Sequence, residues 1–184
     1  RLGEEIFFIH IGYALTMVAF YLFPIILFKD KNLSELIKNF LSKKINYFFI
    51  FLFFIYIIYL ISFVDFNNQP FIGKGIIHKI SQVLFGESFL KVIFVCISFF
   101  ISLIIILIYV ENKLIDILTI VYLLVLSLFL YPIFQEYFDP LIFLMAFTFF
   151  STKLKIDYKS STILFIYLFL LLIGSNIYYE NLLN

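Results

Sequence analysis

The chain has no tryptophan, one cysteine, two histidines and six glycines, and only 14% of its 184 residues are charged. Each shortage closes a class of function. A single cysteine, Cys96, cannot form an intrachain disulfide, and with His10 and His78 far apart there is no zinc-ligand spacing. Set in an apolar run, Cys96 reads as a small buried or lipid-facing hydrophobe. Gly73-Lys74-Gly75 is too short for a phosphate-cradling loop and has no strand before it. Serines scattered through apolar runs make no Ser–His–Asp arrangement. A net charge of +1 gives no bulk attraction for nucleic acid.

The scarcity of charge has the widest consequence. Soluble domains are about 45–50% apolar and about 25% charged. Here 64% of residues are hydrophobic and mean hydropathy is +1.12. No soluble fold of this length has interior enough for that, so an all-α, polytopic integral membrane protein is expected. The 28 phenylalanines accompany a wealth of Ile, Lys and Asn that an AT-rich genome would produce. They are not a functional signature.

A helical crossing takes roughly 20 residues. The apolar runs predict about six spans: Ile6–Phe28, Tyr47–Val64, Leu90–Val110, Leu114–Phe134, one beginning near Pro140, and Thr162–Tyr179. Connections Lys29–Asn46, Lys113 and Ser151–Ser161 hold nine of the thirteen basic residues. They are therefore assigned to the cytoplasm, and both termini to the outer or luminal side of a bacterial inner or an organellar membrane. Acids such as Glu4, Glu5, Asp65, Glu87, Glu136, Asp139 and Glu180 collect on that outer side, although Asp and Glu barely steer insertion. Residues 1–184 read as a single transmembrane domain. The chain opens at Arg1 rather than Met and enters a span at once, so it is expected to be a C-terminal part of a longer polytopic protein.

Two connections carry helical stripes. Leu33, Leu36, Ile37, Phe40, Leu41 and Ile45 alternate with Glu35, Lys38, Asn39, Lys43 and Lys44, which predicts an interfacial helix on the cytoplasmic side. On the outer side Ile72, Ile76, Ile77, Ile80, Val83 and Leu84 form a second stripe. Lys74, His78, Lys79 and Gln82 occupy its other face.

Polar candidates concentrate at the outer boundary. His10 lies about one turn inside the first span, where water could reach it, with Tyr13 three residues on. Asp116 is placed near the cytoplasmic headgroups and reads as structural. The stretch Tyr131-Pro-Ile-Phe-Gln-Glu-Tyr-Phe-Asp-Pro140 separates two apolar runs. Pro132 marks a kink or stop, and Asp139 can cap a helix whose first residue is Pro140. Gln135 and Glu136 have no such structural duty. They stand beside Tyr131 and Tyr137 and near a helix N-terminus, a place suited to an anionic group such as a phosphate. Glu136 and Asp139 would repel that phosphate unless Lys74, Lys79 or a divalent cation intervenes. No other cofactor is indicated.

Gln135-Glu136-Tyr137-Phe138-Asp139-Pro140 resembles a motif near the C-terminus of GT-C class membrane glycosyltransferases, which use polyprenyl-phosphate sugars. The resemblance covers six residues and lacks the arginine such motifs carry. It implies that Glu136, Tyr137 and Phe138 lie near a lipid-linked donor or acceptor, and that the catalytic acid belongs to a first outer loop far upstream. Candidate substrate-binding residues are thus His10, Gln135, Glu136 and Tyr137, with membrane lipids and a polyprenyl-phosphate-linked sugar as partners. Two other readings fit the same spans. One is a transporter or flippase for a lipid-linked saccharide or small solute, and the other is a non-catalytic subunit of a membrane complex.

Overall fold

The computed structural model describes residues 7–25, 33–64, 73–110, 114–130, 132–133, 142 and 157–183. Among them all regular structure is helical: α1 (Ile9–Ile25), α2 (Leu33–Ser42), α3 (Lys44–Phe63), α4 (Gly75–Phe85), α5 (Phe89–Tyr109), α6 (Leu114–Ser127) and α7 (Tyr158–Leu183). The all-α expectation holds for these residues. Two helices, α3 and α5, are long and apolar enough to cross a membrane. The apolar helices α1 and α6, and the apolar part of α7 from Tyr158 to Gly174, are shorter. The expected fifth span, near Pro140, lies outside the described residues.

Most helix limits fall within a few residues of those expected, and the departures have local causes. The fourth span was expected to reach Phe134, but α6 stops at Ser127. Beyond it Leu128 and Phe129 turn with i→i−3 bonds, and the Leu128 carbonyl accepts the Phe7 N–H at 3.1 Å instead of continuing the helix. α7 begins four residues before Thr162 because Asp157 Oδ1 accepts the Ser160 N–H at 2.7 Å, a side-chain cap on the first turn. That bond also holds the Asp157 carboxyl below its usual range. The first interfacial helix ends at Ser42 and not Ile45, because Lys43 is extended and α3 starts directly after it.

α1 is the centre of the bundle. It packs chiefly on α5, and also on α6 and α4, and is buried on nearly all sides. Gly12 permits the close approach to α5, since a Cβ there would overlap the Phe99 ring. Two of its backbone irregularities are repaired by tyrosines from other helices. The Tyr56 hydroxyl of α3 donates to the Phe8 carbonyl and accepts the Gly12 N–H, both at 2.9 Å, so it is inserted into the first i→i−4 bond of α1. Further along, Pro24 has no N–H to give Phe20, and the Tyr167 hydroxyl of α7 donates to the Phe20 carbonyl at 3.0 Å.

The outside of the bundle is apolar. α3 buries Asn46, Phe53 and Leu60 and exposes Phe51, Phe54, Ile58 and Phe63. α4 is inverted relative to a helix on a water-soluble protein. Its polar residues His78 and Ser81 are buried, whereas Ile80, Val83 and Leu84 face outward. α4 meets α5 near its start, where the Phe85 and Phe94 rings lie 5.4 Å apart. α2 packs near the other end of α5, against Leu107 and Val110. Twenty-one residues of α5, about 31 Å at 1.5 Å each, run between these neighbourhoods. Asp116, expected at the headgroups, is fully buried, and the boundary position expected for His10 is likewise an interior one at 1% exposure.

Candidate functional site

The inward face of α4 and the first turns of α1 enclose a cluster of polar groups. It starts from an unusual turn: Gly73, Lys74 and Gly75 have φ of +88°, +64° and +71° in succession. A glycine is required at 73, since a Cβ there would approach the Ile133 carbonyl oxygen to 2.7 Å. Lys74, with a side chain, holds a left-handed conformation that costs of order 1–3 kcal/mol. Its backbone N–H donates to the Ile133 carbonyl at 2.6 Å, which fastens the turn to the segment following α6.

The turn directs Lys74 inward. The side chain is buried at 2% exposure, with Nζ 5.9 Å from the centroid of the Tyr13 ring. The Tyr13 hydroxyl lies 3.2 Å from His78 Nδ1, and the two rings meet edge to face. Phe99 packs edge-on against the other side of Tyr13. Lys91, at the start of α5 and equally buried, donates from Nζ to Gln82 Oε1 at 2.7 Å. Ser81 turns its hydroxyl back to the His78 carbonyl at 2.7 Å. His10 joins the cluster from α1, stacked on Phe7 with ring centroids 4.9 Å apart and facing the backbone of Ser127 and Leu130.

Among the described residues, burial and the nearby lysines set the electrostatics of this group. Burial, and secondly the Lys91 charge, lower the Lys74 ammonium to about 7. Burial first, then Lys74, Lys91 and Lys79, lower His78 to about 4, so its imidazole is neutral at pH 7. A neutral imidazole in the Nε2–H tautomer accepts the Tyr13 hydroxyl proton at Nδ1. Lys91 and the ammonium form of Lys74 can each donate to an acceptor or an anion. The arrangement is therefore suited to an anion. Among the described residues no group of three or more His, Cys, Asp or Glu is placed to hold a metal ion.

Of the residues singled out by sequence, His10 belongs to this cluster. Gln135, Glu136 and Tyr137 lie outside the described residues. The described positions leading to them, Pro132 and Ile133, are the ones against which Gly73 and Lys74 are seated. Sequence reasoning missed the weight of Lys74, His78 and Lys91. A signal was present: two of the six glycines flank one lysine, a sign of special backbone geometry rather than of a phosphate loop. No protein family, curated protein or solved structure matches the chain.

Proposed function

We propose that the chain is a multi-pass membrane domain, with α3 and α5 among its spans and α2 and α4 at opposite membrane boundaries. Within it we assign a glycosyltransferase activity, either whole or as the C-terminal half of a longer enzyme. Sugar is transferred from a polyprenyl-phosphate donor at the outer or luminal face. The membrane placement is supported by the inversion of α4 and the apolar exterior of α3, because lipid accepts Phe and Ile where water would not.

One observation carries the transferase reading: the buried Lys74 is tied through its backbone to Ile133, two residues before Gln135. The motif at Gln135–Pro140 lacks an arginine of its own, and Lys74, whose backbone is bonded two positions before it in the chain, is the cation assigned in its place. When a glycosyl phosphate bond breaks, negative charge grows on the leaving phosphate. Fixed cations in a site with little water stabilise that charge more than they stabilise the bound donor. Lys91 and the ammonium form of Lys74 take that role, while Gln135 and Tyr137 hold the sugar or its carrier by hydrogen bonds.

Transfer from a labelled polyprenyl-phosphate sugar, measured in membranes containing the full-length protein, tests this. Lys74→Met is expected to lower the rate by about 10²-fold, the effect of removing one donor to a developing anion. Glu136→Gln is expected to lower it as well. Unchanged transfer in both variants overturns the assignment.

A further inference from the structure

α2 and the first turns of α3 form a corner with an apolar outer side. At about 100° per residue, Leu36 and Phe40 fall on the edge of α2 that meets α5, and Leu36 is buried there. Ile37 and Leu41 fall on the other edge of the apolar arc and are 41% and 52% exposed. Ile45 and Phe48 at the start of α3 are exposed as well. A lysine accompanies each of these two rows. Lys38 lies three residues before Leu41, at the margin between the exposed row and the polar face of α2. Lys44 lies four residues before Phe48, on the side of α3 away from the buried Asn46.

The end of α2 indicates what surrounds it. A helix leaves its last four carbonyls without an intrahelical donor, and on a wet surface water can serve them. Here the Asn39 carbonyl accepts the Ser42 hydroxyl at 2.9 Å, and the Phe40 carbonyl accepts Asn46 Nδ2 at 2.8 Å. The Leu41 carbonyl accepts the Tyr47 hydroxyl at 3.0 Å. Side-chain donors on three successive carbonyls, beside exposed Leu41 and Tyr47, suit a place where water is scarce. The charge there has one sign. Glu35 is the only acid of α2 and none follows it before Asp65, whereas Lys38, Lys43 and Lys44 gather at the corner. Among the described residues neither Lys38 nor Lys44 is in an ion pair. We infer that the α2–α3 corner is a docking surface for anionic phospholipid, with acyl chains along Ile37, Leu41 and Phe48 and headgroup phosphates at Lys38 and Lys44. An ammonium on a four-carbon stem reaches from the edge of an apolar row to the phosphate level. Apolar burial and attraction to the anionic headgroups then act together.

This surface rests on the membrane placement of α2 and is independent of the transferase chemistry. The chain has no tryptophan, so Leu41→Trp supplies a single reporter on the exposed row. The full chain carrying it is reconstituted in equimolar phosphatidylcholine and phosphatidylglycerol, with bromine on the acyl chains of one lipid or the other. Contact quenching of the indole then compares the two lipids beside residue 41. Phosphatidylglycerol is expected to be enriched about fivefold, the factor for roughly 1 kcal/mol from the one lysine on that edge. Adding Lys38→Gln is expected to bring the ratio close to one, and adding Lys38→Arg to retain it, with helical circular dichroism unchanged in both. Equal quenching by the two lipids in the Lys38 parent overturns the headgroup site, with α2 still in the membrane. An enrichment that survives Lys38→Gln overturns it as well. Blue-shifted emission quenched by neither lipid, as when protein covers the row, overturns the docking surface altogether. Water-like emission from a chain that stays soluble without detergent overturns the membrane placement itself.

Discussion

At Gly12 a side chain of any size would overlap the Phe99 ring, which is itself fully buried and locked edge-on against Tyr13. The close approach of α1 and α5 at this level therefore depends on the missing Cβ. Gly12→Ala is expected to destabilise the bundle by about 1–3 kcal/mol, the usual consequence of overpacking. Adding Phe99→Leu should recover part of the loss, because the smaller side chain gives the new methyl space. Unfolding in mixed micelles, followed by circular dichroism, measures both. Additive losses in the double variant would show that the two residues do not share the constraint. Lys74 illustrates a second residue-scale lesson. The helical stripe in the sequence places Lys74, His78 and Gln82 on one side of α4 but is silent on whether that side turns outward. Only tertiary contacts, with Tyr13 and with Ile133, determine that it turns in.

Among the elements, α1 and α7 are joined by a repair to the backbone. Pro24 removes the N–H that would have bonded to Phe20, and the Tyr167 hydroxyl replaces it. Tyr167→Phe is expected to cost about 1–3 kcal/mol by leaving that carbonyl unsatisfied. In a Pro24→Ala background residue 24 supplies the bond, so there Tyr167→Phe should be close to neutral. A double-mutant cycle in micelle unfolding reads the difference, and equal losses in both backgrounds would remove the proline from the explanation. Helix existence was legible in the sequence for a simple reason: runs such as Tyr47–Val64 and Leu90–Val110 are apolar throughout, and the observed α3 and α5 depart from them by three residues or fewer. The end of α6 was not legible. It depends on Phe7, more than a hundred residues earlier, capturing the Leu128 carbonyl. The candidate site divides the same way: His10 stood out in the sequence as an ionisable group near the start of an apolar run, whereas its burial and the grouping of Lys74, His78 and Lys91 are recognisable only once α4 is folded against α1 and α5.

For the whole molecule the useful geometry is the separation of α2 from α4 along α5. If α5 crosses a bilayer, the exposed residues Lys38 on α2 and Glu87 in the turn before α5 must meet opposite solutions. In a Cys96→Ala background, Glu87→Cys is expected to react with a membrane-impermeant maleimide from the outer side, and Lys38→Cys only after the membrane is opened. Labelling of both from one side would contradict the crossing, and the reverse pattern would invert the orientation inferred from the lysines.

The bond from Tyr167 to Phe20 spans 147 positions of sequence. Ribosomes make α1 before α7, so while the residues between them are translated the kinked helix carries a raw carbonyl that its eventual partner has not yet been synthesised to cover. The same holds for a shorter time at Phe8 and Gly12, until Tyr56 arrives 48 and 44 residues later. Biogenesis of the central helix is thus finished from outside, by two tyrosines delivered in order. A nascent chain halted before α7 would present the quality-control machinery with an incomplete α1, although every residue of α1 had already been made.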